Sequence, residues 1–144
     1  MFAVKASRYL THVRRLHDPG PAVERLLEGA LRLGPKLGPV LLQLPPTMTA
    51  DAGALSTALD CFPAGVRVAV EFRHRSWFDG TIRRVLEDHR AALCLTDTQY
   101  RRSPLWVTAD WTYLRLHAGL ARPMPCYGER ALSWWAERLG GLAG

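Results

Sequence analysis

Cysteine is scarce in this 144-residue chain. Cys61, Cys94 and Cys126 are scattered, odd in number and never in a CxxC spacing. That excludes a zinc ribbon and a disulfide framework, and it suits a reducing cytoplasm. No apolar run is long enough to span a bilayer, so no membrane partner is expected. The start, Met1-Phe2-Ala3-Val4-Lys5, lacks the charged leader and long apolar region of a signal peptide, so a cytoplasmic location is expected. No HxxE, HExxH or DxD spacing occurs, so neither a metal nor another cofactor is expected. Linkers, low-complexity segments and sequence repeats are also missing, and residues 1–144 read as a single domain. Lysine is rare as well, with only Lys5 and Lys36 among nineteen basic residues. The net charge of +6 is therefore carried by arginine. Abundant Arg, Ala, Gly and Leu together are what a GC-rich genome produces. Charge alone then supports at most a weak, non-specific, salt-sensitive affinity for nucleic acid.

What is present is an alternation of strand and helix patterns. Hydrophobic residues make up 48% of the chain, enough for one real core. Phe2–Lys5 reads as a first strand, followed by a loop carrying Ser7, Arg8, Thr11, His12, Arg14 and Arg15. Val23, Leu26, Leu27, Ala30 and Leu31 recur at helical spacing, and Gly34-Pro35 stops that helix. Val40–Leu44 is a second strand, ended by Pro45-Pro46. A helix on Leu55, Ala58, Leu59 and Phe62 leads to a third strand. Asp79 caps a helix on Ile82, Val85 and Leu86, and Ala92–Asp97 is a fourth strand. Residues 98–112 lack a helical pattern and read as an irregular loop, with Pro104 against a helix. Thr112–His117 is a fifth strand, and Leu132, Trp135, Ala136 and Leu139 mark a last helix. Strands alternating with helices through short connections predict an α/β fold with parallel strands.

The stretch Arg67–Trp77 organises the rest. Val68, Ala69, Val70 and Phe72 are what a strand covered on both faces requires. Glu71 then interrupts the apolar run. Strand alternation puts Glu71 and Arg73 on one face, Phe72 and His74 on the other, and Arg115 with His117 on a shared face. Every strand ends in polar groups: Lys5, Gln43, Glu71 with Arg73 and His74, Asp97, and Arg115 with His117. Five such ends together predict a shared mouth, as at the carboxyl-end face of a (β/α) barrel. Glu71, Asp97, His74 and His117 offer acid–base groups, and Lys5, Arg73 and Arg115 offer cations for an anionic oxygen. Arg8 and His12 add donors beside the first strand. Gln43, the one amide in an apolar strand, reads equally as a satisfied core group or a site residue.

These strand-end motifs resemble the YecE-like family, the domain of unknown function DUF72. The resemblance runs through Phe2–Arg8 with Thr11-His12, Gly38–Pro46, Val70–Trp77, Asp97, Tyr113–His117 and Tyr127-Gly128. It implies a TIM-type barrel and adds Trp77 and Tyr127 to the ligand-binding candidates. It also implies that two strands before Phe2 and one after the last helix are missing. The expected fold is accordingly a partial TIM-type (β/α) barrel of about five parallel strands, whose open edges invite oligomers or aggregates.

Three functional readings stay open at this stage. One is an enzyme, a hydrolase or an isomerase-like barrel, using Glu71, Asp97 and His117 as catalytic groups. Lys5, Arg8, His12, Gln43, Arg73, His74, Trp77, Arg115 and Tyr127 would hold a phosphate- or sugar-bearing anion. The second is a non-catalytic phosphate or nucleic-acid binding module. The third is a truncated, inactive barrel.

Overall fold

In the computed structural model, which describes residues 1–98, 101–117 and 126–141, the apolar runs pair into one sheet. Strands β1 (Phe2–Lys5), β2 (Leu37–Gln43), β3 (Val68–Glu71) and β4 (Ala92–Thr98) lie side by side in that order, all parallel. A two-residue strand, β5 (Arg101–Arg102), folds back antiparallel on the end of β4, and β6 (Tyr113–Arg115) runs parallel to β4 on its free side. The five parallel strands curl into a half-barrel. Helices α1 (Gly20–Ala30), α2 (Ala52–Asp60) and α3 (Gly80–Asp88) form the crossovers, and α4 (Glu129–Gly140) follows β6. The α/β partial barrel expected from the sequence is the architecture found.

Register assigns each side chain to a face. Gln43 pairs with Glu71, Leu41 with Ala69, and Thr96 with Arg115. Successive residues of a strand alternate sides. Leu42, Leu44, Val68, Val70, Phe72, Leu93 and Leu95 therefore pack outward against Val23, Leu55, Leu59, Ile82 and Leu86 of the helices. The inner face carries a smaller apolar layer, Leu41, Ala69, Ala92 and Cys94 under Ala109, Trp111 and Tyr113. Above that layer, toward the carboxyl ends, the inner face turns polar.

Local chemistry explains where the elements begin. Asp51 caps α2 by accepting from the Ala54 N–H at 2.9 Å, and Asp79 caps α3 by accepting from Thr81 and Ile82. Pro21 opens α1, where a missing N–H costs nothing. Gly38 sits at the register shift between β1 and β2, where an added Cβ would lie 2.9 Å from the Phe2 carbonyl oxygen. Only glycine allows that backbone approach.

Three boundaries differ from expectation. Residues 9–13, expected as loop, form a π-helical turn closed by the Arg14 N–H on the Tyr9 carbonyl at 2.8 Å. The burial of Leu10 and Thr11 holds it, a signal too short to show as helical periodicity. The fifth parallel strand is Tyr113–Arg115 rather than Thr112–His117, because β4 offers partners only at Cys94, Leu95 and Thr96. Residues 103–112, after β5, are irregular as expected and pack Trp106 edge-on against Phe78 at 6.3 Å.

Candidate functional site at the carboxyl ends of the strands

Glu71 ends β3 on the inner face, where its side chain is 1% exposed. A carboxylate this buried stays charged only if it is paired and hydrogen-bonded. Gln43, its register partner on β2, places its amide nitrogen 3.0 Å from both carboxylate oxygens. Arg73 donates from Nε to Oε1 at 2.9 Å, and Arg115 of β6 donates from Nη1 to Oε2. One carboxylate therefore ties together three strands, β2, β3 and β6. Burial on its own pushes the Glu71 carboxyl up, but the hydrogen bonds from Gln43, Arg73 and Arg115, with the charge of Arg115, outweigh it and hold the group below its ordinary value. The side chains of Arg73 and Arg115 remain 39% and 30% exposed, so both guanidiniums reach the mouth.

A second carboxylate, that of Asp97, lies near the carboxyl end of β4. It accepts from the hydroxyl of Tyr127 and from the backbone N–H of His117 at 2.8 Å. His117 thus enters through its main chain while its side chain is exposed. It lies beyond the end of β6, so the alternation that brings Arg115 to Glu71 does not extend to His117.

On the other side of the mouth, Lys5 closes β1 and pairs in register with Leu41 of the inner face. Arg8 precedes the π-helical turn, and His12 lies within it. The Nδ1 of His12 is 2.8 Å from the hydroxyl of Thr11, which is itself 2% exposed. Burial, and then the charges of Arg8, Lys5 and Arg73, push the His12 imidazole below its ordinary value. Among the described residues, neither Lys5 nor Arg8 has a carboxylate partner.

Two of the expected ligand-binding residues sit elsewhere. Trp77 is 0% exposed, stacks on Phe72 at 4.8 Å, and donates its indole N–H to the Met48 carbonyl at 2.8 Å. It is a core residue of the outer, helix-covered layer and presents no surface to a ligand. His74 caps the short turn Arg75–Trp77, accepting at Nδ1 from the Ser76 N–H at 3.2 Å. Its alternation with Phe72 put it on the outer side from the start.

Two buried groups, Thr11 in the π-helical turn and Cys94 on the inner face, were not singled out as site residues by the sequence. Thr11 was one donor in an apparent loop, and only the π-helical turn reveals it as the anchor of His12. Cys94 looked like an apolar strand residue. It lies near enough to Glu71 that burial and then the Glu71 charge raise its thiol to about 12, against the pull of Arg115 and Arg73. Among the described residues no three His, Cys, Asp or Glu side chains converge as a metal site would need. A cavity of about 610 Å³ lies at the opposite, amino end of the strands, lined by Arg67, Arg90 and Trp111 among others. It is remote from this charge cluster. No helix among the described residues is long and apolar enough to cross a membrane.

Comparison with known proteins yields a fold without a reaction. The family described as "Protein of unknown function DUF72" matches residues 1–144. A solved DUF72 family protein from Thermotoga maritima MSB8 superposes with a TM-score of 0.82 at 24% identity, covering 99% of this chain and 62% of that one. A DUF72 family protein from Enterococcus faecalis V583, solved twice, gives TM-scores of 0.69 and 0.62 at 17% and 16% identity. Those two matches cover 88% and 94% of this chain and 56% and 59% of the other. The chain thus spans about three-fifths of the length of these solved relatives. No curated protein matches it.

Proposed function

Because the chain belongs to the DUF72 family of proteins of unknown function, which supplies a barrel fold and no chemistry, we propose from the geometry that it binds an anionic, phosphate- or sugar-phosphate-type ligand at the carboxyl ends of its strands. The observation that carries this reading is the clamp on Glu71. One buried carboxylate orients two guanidiniums, Arg73 just after β3 and Arg115 on β6, and both reach the mouth. Lys5 and Arg8 add two more cations that no described carboxylate neutralises. Guanidinium forks suit oxyanions, and a fork fixed in advance loses less freedom on binding. In this reading Glu71 is a positioning residue. Both its oxygens are occupied and its proton affinity is lowered, which is the reverse of what a general base near neutral pH needs.

The test is calorimetric titration with inorganic phosphate and with a sugar phosphate. Lys5→Ala and Arg8→Ala change exposed side chains, so the fold should survive while affinity falls several-fold for each lost cation. Unchanged affinity in the double variant overturns the reading.

The Asp97–Tyr127 pair favours a second, hydrolytic reading. It is a partly exposed carboxylate holding a phenol at the carboxyl end of β4, able to relay a proton to a leaving oxygen. A phosphatase or sugar-phosphatase assay separates the two. Hydrolysis predicts turnover that Asp97→Asn removes while phosphate binding persists.

A further inference from the structure

Two guanidiniums lie over one indole at the junction of β5 and α4. Arg102 is 4.8 Å and Arg138 is 3.6 Å from the ring centre of Trp134. We propose that this stack, continued by Arg130, is a binding surface for single-stranded nucleic acid, independent of the anion mouth.

The fold assembles the surface from distant segments. Arg102 is the register partner of Asp97 where β5 folds back on β4. Arg130, Trp134 and Arg138 are four residues apart on α4, so they share one face at steps of about 6 Å. The neighbouring Trp135 is buried and meets Trp134 edge-on at 5.0 Å, which fixes the indole in place. Trp134 itself is half-buried, and the three arginines are exposed.

A contact that only pins β5 to the helix needs Arg102 alone. Arg138 lies in the same helix as Trp134 and ties no second element. It brings a second charge to the same ring, inside the screening length of about 10 Å at 0.1 M salt, so the two cations repel. α4 also carries Glu129 and Glu137, yet among the described residues no carboxylate is within ion-pair distance of Arg102, Arg130 or Arg138. Part of the chain's net charge of +6 is therefore held here without a counter-charge.

The chemistry of the surface selects the ligand. A guanidinium stacked on a ring keeps its N–H edge for a phosphate and turns its outer plane to a base. A lone phosphate is satisfied by one such fork, whereas a row of cations matches the repeated charge of a polyanion. The aromatic centre of the row adds a stacking platform. Bases inside a duplex are already stacked and leave that platform unused, while a single strand can occupy it. RNA and DNA share this chemistry.

Fluorescence anisotropy of labelled oligothymidylate and oligouridylate strands tests the proposal, with inorganic polyphosphate as a base-free competitor. Both strands should bind, the tighter one naming DNA or RNA as the source. The logarithm of affinity should fall against that of salt with a slope of about −2, for three cations at about 0.7 each. Arg102→Gln with Arg138→Gln should lower affinity about tenfold or more and flatten the slope by about 1.4. Arg130→Gln changes an exposed residue outside the stack and should flatten it by about 0.7, which keeps the test open should the double variant unfold. Trp134→Leu should weaken the strands about fivefold or more and leave polyphosphate unaffected. Lys5→Ala with Arg8→Ala should leave strand binding unchanged, separating this surface from the mouth. The proposal is overturned by strands that do not bind at low salt, by affinity and slope unchanged in the arginine variants, by polyphosphate matching the strands at equal charge, or by binding lost in the Lys5 and Arg8 variant.

Discussion

The amide nitrogen of Gln43 lies 3.0 Å from each carboxylate oxygen of Glu71, straight across the β2–β3 register. Both side chains are buried, so the contact satisfies a charge that water cannot reach. Gln43→Leu keeps the volume and removes that donor. It should destabilise the fold by about 1–3 kcal/mol, the cost of an under-satisfied buried group. Urea denaturation of the variant checks it, and a midpoint equal to that of the wild-type protein would contradict it.

Glu71 gives a pH signature whose sign follows from its lowered value. A carboxyl that is more acidic folded than unfolded stabilises fully above its unfolded value, near pH 4.3, and loses that contribution as pH falls through the folded value. The melting temperature should therefore drop below about pH 4.5, and Glu71→Gln should flatten this slope. The variant should also cost roughly 2–4 kcal/mol at neutral pH, less than for a fully buried pair because both arginines reach solvent. Parallel acid-range melts of wild-type and variant protein decide it.

Cys94 should be chemically silent in the folded protein. The thiolate is the reactive form, and a thiol raised to about 12 holds almost none at neutral pH. A thiol reagent at pH 8 should label Cys61 and Cys126, which are partly exposed, and reach Cys94 only on unfolding. Mass spectrometry of the labelled peptides reports the order, and early labelling of Cys94 would contradict the packing of the inner face.

Among the described residues β1 pairs only with β2, leaving one edge of its backbone without a strand partner. Exposed edges recruit other strands. The 144-residue chain should therefore associate as its concentration rises, and analytical ultracentrifugation should show its weight-average mass climbing. A monomer over a hundredfold concentration range would argue that the edge is protected.

The fold was legible wherever periodicity was strong. Val68–Val70 and Ala92–Leu95 are apolar on both faces, and Asp79 and Ile82 gave α3 both a cap and a buried face. The Glu71–Arg73 pairing was legible too, since two-residue alternation places both on one side. That Arg115 shares the mouth with Glu71 was expected from the same alternation, but that Gln43 and both arginines converge on one carboxylate was not. It depends on register between strands far apart in sequence, which no local pattern encodes. Alternation with Phe72 already put His74 on the outer side, whereas the burial of Trp77 was not legible. Trp77 sits just past the carboxyl end of β3 in sequence, but the short turn Arg75–Trp77 carries it into the helix-covered core. The π-helical turn at residues 9–13 is five residues long, too short for amphipathic spacing to declare itself. Residues 118–125, between the fifth parallel strand and the last helix, lie outside the described residues.

Anion binding by this chain stands or falls on whether an oxyanion occupies the mouth built around Glu71. The most direct measurement is a crystal structure of this chain soaked with inorganic phosphate. It should show tetrahedral density within hydrogen-bonding distance of Arg73 or Arg115, with Lys5 and Arg8 turned toward it. Phosphate bound only elsewhere, or a mouth holding ordered water alone at a concentration that saturates binding in solution, would contradict the assignment.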